Sequence, residues 1–121
     1  YIGVMEKTKL TIGKECLVAK DVKILSGAGH SLYDLEEKRN INMQENIHVT
    51  IGNHVWLGLG SQIIYNTEIG EHSMVGAGSV AKGSYPAHCV IAGNIARVVR
   101  ENTDWCEVDY VSYEEFMEDW K

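Results

Sequence analysis

His30 interrupts a run of aliphatic slots: it stands where the surrounding pattern calls for Ile or Val, at the mouth of a long polar stretch. A neutral imidazole there can take a proton from a hydroxyl near neutral pH, the work of a general base. A histidine packed for structure is the alternative, and the residue alone leaves the two equally open. Three cations, Lys82, Arg97 and Arg100, follow the glycine-rich Gly76-Ala77-Gly78-Ser79 in a chain whose net charge is −6. They suit phosphate groups, with pairing to the acidic tail as the competing role. His54 and His72 lie 18 residues apart. Zinc asks for three or four ligands, and neither His48 nor His88 keeps their phase, so polar corner residues and no metal are expected. Cys16, Cys89 and Cys106 are odd in number, lack metal or redox spacing, and read as packed, reduced thiols.

The elements that must position these groups follow a six-residue beat. Aliphatic residues recur at Ile12, Val18 and Ile24, then at Ile51, Leu57, Ile63, Ile69 and Val75, with a small or β-branched residue four places after each. Neither a helical period nor plain alternation gives that spacing. Within Val55-Trp56-Leu57, strand alternation turns Val55 and Leu57 one way and Trp56 the other. Asn53-His54, Leu59-Gly60, Tyr65-Asn66, Glu71-His72 and Ala77-Gly78 supply corners. Short strands with tight corners close into a triangular prism with three hexads per coil, a solenoid rather than a β-sandwich. Trp56 and Met74 then stack as an outward apolar stripe, a covered surface or a groove.

The segments Ile51-Gly-Asn-His-Val-Trp-Leu-Gly, Ile69-Gly-Glu-His-Ser-Met-Val-Gly-Ala-Gly-Ser-Val and Ala92-Gly-Asn-Ile-Ala-Arg-Val-Val-Arg resemble the closing coils of hexapeptide-repeat acetyltransferases. Maltose, galactoside and capsular or lipopolysaccharide sugar O-acetyltransferases are the similar members. The resemblance covers residues 10 to 100 or so. It implies an all-β, left-handed parallel β-helix, a homotrimer with sites between subunits, acetyl-CoA as donor and a carbohydrate hydroxyl as acceptor.

Gly29-His30-Ser-Leu-Tyr-Asp34 resembles the catalytic segment of those enzymes and makes His30 the expected general base, with Asp21, Asp34 or Glu36 as candidate orienting groups. The resemblance puts Trp56 in the site across a subunit interface from His30, with the backbone N–H of Trp56 or Gly58 as oxyanion donor. It assigns Gly76, Ala77, Gly78, Lys82, Arg97 and Arg100 to the donor, the two arginines sharing a face if that stretch turns helical. Leu59 stands where some members have serine, Ile95 where proline is frequent, and Lys82 where a small hydroxyl residue is common. An amino-sugar N-acetyltransferase is the nearest alternative. A non-enzymatic scaffold or a γ-carbonic anhydrase-like metal protein follows.

At 121 residues the chain makes one elongated domain. The β-helix is expected over 1–100 with an extruded loop at about 31–46, and a tail over 101–121. Opening on Tyr1 inside the repeat suggests an upstream segment. Acidity argues against nucleic acid, no run is apolar enough for a signal peptide or membrane span, and a cytoplasmic setting is expected. In the tail, Ser112 and Glu115 form a capping-box signal for a short helix through Trp120, with Phe116 and Trp120 on one face, packed on the prism's end or a partner chain.

Overall fold

The computed structural model describes residues 1–4, 7–42, 47–109 and 111–120, with side chains through residue 118. Three ladders of parallel strands make the walls. The first joins β1 (Ile2–Gly3), β4 (Lys23–Leu25), the start of β9 (Gln62–Ile69) and the start of β11 (Val80–Tyr85). The second joins β2 (Thr8–Ile12), β7 (Ile47–Ile51) and the far ends of β9 and β11. The third stacks β3 (Leu17–Val18), β8 (Trp56–Leu57), β10 (Met74–Val75) and β12 (Val90–Gly93), with β13 (Ala96–Arg100) antiparallel at the end.

The inward columns are those the beat requires. Ile51, Leu57, Ile63 and Val75 are at most 1% exposed, and Ser61, Thr67 and Ser73 are fully buried beside them. Ile12 at 37% and Val18 at 51% depart from that pattern. They belong to the first coil, where β1 pairs only with β4, so among the described residues no strand stacks over β2 and β3. Corners close by one residue in the left-handed backbone region: Glu15, His54, His72 and His88 along one edge, Asp21, Gly60 and Gly78 along the next. Asn and His tolerate that region better than most residues, and Gly carries no penalty there.

Register measures the coils. Trp56 pairs with Met74, a step of 18. Leu17 pairs with Trp56, a step of 39, so the intervening coil carries 39 − 18 = 21 extra residues. That excess leaves the wall as the hairpin β5 (Tyr33–Asp34) and β6 (Arg39–Asn40), within the expected loop, whose residues 43–46 lie outside the described ones. The last step is short: Met74 pairs with Val90, a step of 16, after a bulge between Ala81 and Gly83.

β13 covers the open edge of β12, the task expected of the terminal helix. The helix itself, α1 (Tyr113–Trp120), is capped by Ser112, whose Oγ accepts the Glu115 N–H at 3.2 Å. It faces Ala87, His88 and Thr103 across a cleft of about 480 Å³. The pairing of Phe116 with Trp120 lies outside the described side chains. No helix among the described residues is long and apolar enough to cross a membrane.

Candidate active site

His30 is exposed at the root of the β5–β6 hairpin. Asn42 ties that root: its Nδ2 donates to the His30 carbonyl at 2.8 Å, and its Oδ1 accepts the Leu32 N–H at 2.7 Å. The Ile41 N–H closes the neck on the Leu32 carbonyl at 2.8 Å. The imidazole is thus offered to solvent on a braced backbone. Asp34 is occupied elsewhere, its Oδ1 accepting the Glu37 N–H at 2.7 Å in the hairpin turn. Asp21 and Glu36 are exposed, and none of the three carboxylates hydrogen-bonds to the His30 ring.

Trp56 lies on the third wall, and no hydrogen bond or ring contact joins it to His30 within one chain. Its N–H donates to the Ser73 carbonyl at 3.0 Å, and the Gly58 N–H donates to the Val75 carbonyl at 2.8 Å. Both expected oxyanion donors are therefore engaged in the ladder. A Cβ on Gly58 would lie 2.5 Å from that carbonyl, so glycine at 58 serves coil stacking. The next N–H, of Leu59, has no acceptor among the described residues, and Leu59 is exposed at the corner.

Gly76, Ala77 and Gly78 turn the same corner one coil on. A Cβ on Gly76 would lie 3.1 Å from the Ala92 Cβ, so this corner stacks directly on Ala92. Ala92 pairs with Arg97, so the bare corner and one cation are neighbours. Arg97 and Arg100 do share a face, through a strand bulge rather than a helix. Val90 pairs with Arg100 and Ala92 with Arg97, because the register shifts between Val90 and Ile91. Among the described residues neither arginine makes an ion pair. Lys82 stands apart at the end of the first wall, its Nζ 4.7 Å from the centre of the Tyr65 ring.

The tail folds back along the histidine edge. Trp105 comes within 5.9 Å of Trp56, ring centre to ring centre. Between them and α1 opens a cleft of about 720 Å³ lined by Trp56, Arg100, Trp105, Tyr113 and Phe116 among others. The outward stripe is thus partly covered by the chain's own tail.

Residues 48–83 match the family model described as bacterial transferase hexapeptide (six repeats). A polysialic acid O-acetyltransferase of Escherichia coli O1:K1 is 33% identical over 106 residues, which is 88% of this chain and 34% of that protein. The solved polysialic acid O-acetyltransferase OatWY superposes with a TM-score of 0.86 at 37% identity, over 95% of this chain and 54% of that one. A galactoside acetyltransferase in complex with coenzyme A gives 0.66 at 25% identity, over 92% and 57%. The chain carries the bacterial transferase hexapeptide repeat and is similar over most of its length to hexapeptide-repeat O-acetyltransferases. It spans between about a third and somewhat over half of these relatives.

Within this hexapeptide-repeat chain, three features escaped sequence reasoning. Asn42 carried no signal beyond being a hydrogen-bonding residue twelve places after His30. Leu59 was discounted for its side chain, whereas its main chain is what stands free. His88 was set aside as out of phase, and the 16-residue step corrects this by bringing it beneath His72, with ring centres 4.9 Å apart and planes 4° from parallel. A bulge at Ala81 was the missing signal.

Proposed function

We propose that this chain is the catalytic part of an acetyl-CoA-dependent O-acetyltransferase acting on a hydroxyl of a sugar or of a polysaccharide or lipopolysaccharide precursor. The observation that carries the reading is His30: a solvent-facing imidazole on a backbone braced by Asn42, beside a hairpin with exposed apolar groups. Leu32, Tyr33 and Leu35 are 58%, 60% and 88% exposed, a surface suited to a neighbouring copy. A left-handed winding and a homotrimer follow in this reading, with the hairpin of one copy bringing His30 towards Trp56 of the next. The reaction, like its donor, belongs to the cytoplasm.

The chemistry is a direct transfer. The neutral His30 ring takes the acceptor hydroxyl's proton as that oxygen bonds to the thioester carbonyl carbon. The carbonyl oxygen becomes an oxyanion, held by the Leu59 N–H rather than that of Gly58. Collapse breaks the C–S bond, and the imidazolium returns the proton to the departing thiolate. Gly76, Ala77 and Gly78 leave room for the pantetheine arm, while Arg97 and Arg100 meet its phosphates, with Lys82 reaching in from the neighbouring wall.

Acetyl-CoA with a panel of sugar hydroxyl and amino-sugar acceptors tests this. His30→Ala is expected to lower kcat by about 10²–10⁴-fold with the fold and coenzyme A binding intact. Retained turnover in that variant, or transfer to amines alone, would overturn the assignment.

A further inference from the structure

Three consecutive coils place a histidine at the same corner, and the tail lays a carboxylate against them. His54, His72 and His88 all take the left-handed backbone conformation at the close of their corners, with φ of 54°, 59° and 57°. Their main chains are joined coil to coil by hydrogen bonds, His72 N–H to the Asn53 carbonyl and His88 N–H to that of Glu71, each at 3.0 Å. The Thr103 N–H continues the series onto the His88 carbonyl at 2.9 Å, bringing Asp104 level with the rings. His72 Nδ1 is 3.2 Å from either oxygen of Asp104. His54 Nε2 is 3.7 Å from Oδ1, and His88 Nδ1 is 3.9 Å from Oδ2.

We propose that His54, His72 and Asp104 bind one divalent transition-metal ion of the zinc class, with His88 at the edge of the site. Zinc bound tetrahedrally at 2.0–2.1 Å from nitrogen or oxygen holds its ligand atoms roughly 3.3 Å apart. The ligand atoms of these three residues already lie within 4.8 Å of one another, so small side-chain rotations close the shell. The Asp104 side chain is 12% exposed, those of His54 and His72 19% and 25%, which keeps the site partly dry yet open to an ion. Asp104 Oδ2 is buried and accepts no hydrogen bond. A buried carboxylate oxygen in that state is costly, and a cation relieves it.

The ring nitrogens now donate hydrogens to oxygen: His54 Nε2 to the Trp105 carbonyl at 2.8 Å and His72 Nδ1 to Asp104. On binding, each ring moves its proton to the other nitrogen and turns a lone pair to the metal, while the oxygens that accepted those protons face it as ligands or close neighbours. Imidazole with one carboxylate suits zinc. The ligands come from two coils and the tail, so the ion would fasten residues 103–105 to the prism, separately from any acyl-transfer chemistry.

The intact chain, stripped with chelator, is titrated with Co²⁺ and then Zn²⁺. The expected result is one Co²⁺ per chain with the intense visible absorption of tetrahedral coordination, displaced by Zn²⁺, and slowed hydrogen exchange at the Thr103 amide. His72→Ala and Asp104→Asn should each weaken Co²⁺ binding at least about tenfold, and His48→Ala should leave it unchanged. Octahedral-type weak absorption or no saturable binding by the wild-type chain overturns the proposal without any variant. So does equal affinity in a folded His72→Ala chain.

Discussion

His54 and Trp105 hold each other by two hydrogen bonds. The Trp105 Nε1–H donates to the His54 carbonyl at 2.8 Å, and the His54 ring Nε2 donates to the Trp105 carbonyl at 2.8 Å. The rings stack with centres 4.0 Å apart. Residues 51 positions apart are thereby locked face to face, and Trp105 is only 8% exposed. This reciprocal clasp docks the tail beside Trp56 and builds the cleft that Arg100 also lines.

Trp105→Ala should release the tail. Truncating a buried tryptophan costs about 3–5 kcal/mol, and here the loss falls on docking of the tail. Hydrogen exchange reads it: the Thr103 amide should lose protection while amides of β8 and β10 keep theirs. Protection unchanged at Thr103 would mean that its bond to His88 suffices.

Tyr85 ends an inward column as a hydroxyl-bearing ring. Its OH donates to the Ala96 carbonyl at 2.7 Å and accepts the Lys82 N–H at 3.1 Å. Tyr85→Phe keeps the ring but leaves the buried Ala96 end of β13 without its donor, a loss of about 1–3 kcal/mol. A lower urea midpoint with unchanged slope is the expected observation.

Ser61 points the other way. Its Oγ is buried and has no hydrogen-bond partner. Ser61→Ala removes that group and leaves almost the same volume, so stability should hold or rise by about 1 kcal/mol. A clear fall in the midpoint would show that Oγ has a partner in solution.

Cys89 should resist thiol reagents that modify the half-buried Cys16 and Cys106. Burial, and then the carboxylate of Glu101, push its thiol above the ordinary thiol range. Its Sγ also donates to the Ala87 carbonyl at 3.3 Å. The fold retains a proton that the unfolded chain releases as pH rises past the ordinary thiol value, so this thiol's contribution to stability shrinks on the alkaline side. Mass spectrometry after alkylation at pH 8 checks the order of reaction, and Cys89 labelled first would contradict it.

Gly58→Ala should damage the fold before it damages chemistry. The added methyl meets the Val75 carbonyl at 2.5 Å and the Ala77 nitrogen at 2.9 Å, both main chain and unable to swing away. Overpacking of this kind costs about 1–3 kcal/mol. A lowered melting temperature with kcat unchanged in the surviving fold separates this role from oxyanion stabilisation.

The strands from Ile51 to Ala81 were legible because each inward residue announces itself six places after the last, and burial of Leu57, Ile63 and Val75 follows directly. The hairpin was legible as a lapse in that rhythm, and α1 through Ser112. What stayed hidden depends on summed lengths between distant residues. Nothing near Asp104 says that it will meet His72, 32 positions earlier; that meeting rests on the bulge after Ala81, the reversal into β13 and the clasp of Trp105. The helical reading of Arg97 and Arg100 failed similarly, since a strand bulge produces the same shared face from the same spacing. For His30, the bracing by Asn42 joins residues twelve positions apart across the hairpin neck, a pairing that no local pattern announces.

The shortened last coil carries a lesson in parity. Dropping from 18 to 16 residues removes an even number, so Ile91 still faces inward beneath Val75 and Val90 still faces outward beneath Met74. Losing one residue instead would turn the terminal strand inside out, exposing Ile91 and forcing Val90 into the interior. Length variants within these walls should therefore survive in twos, while the hairpin, which leaves the wall before it varies, is free to change by any number.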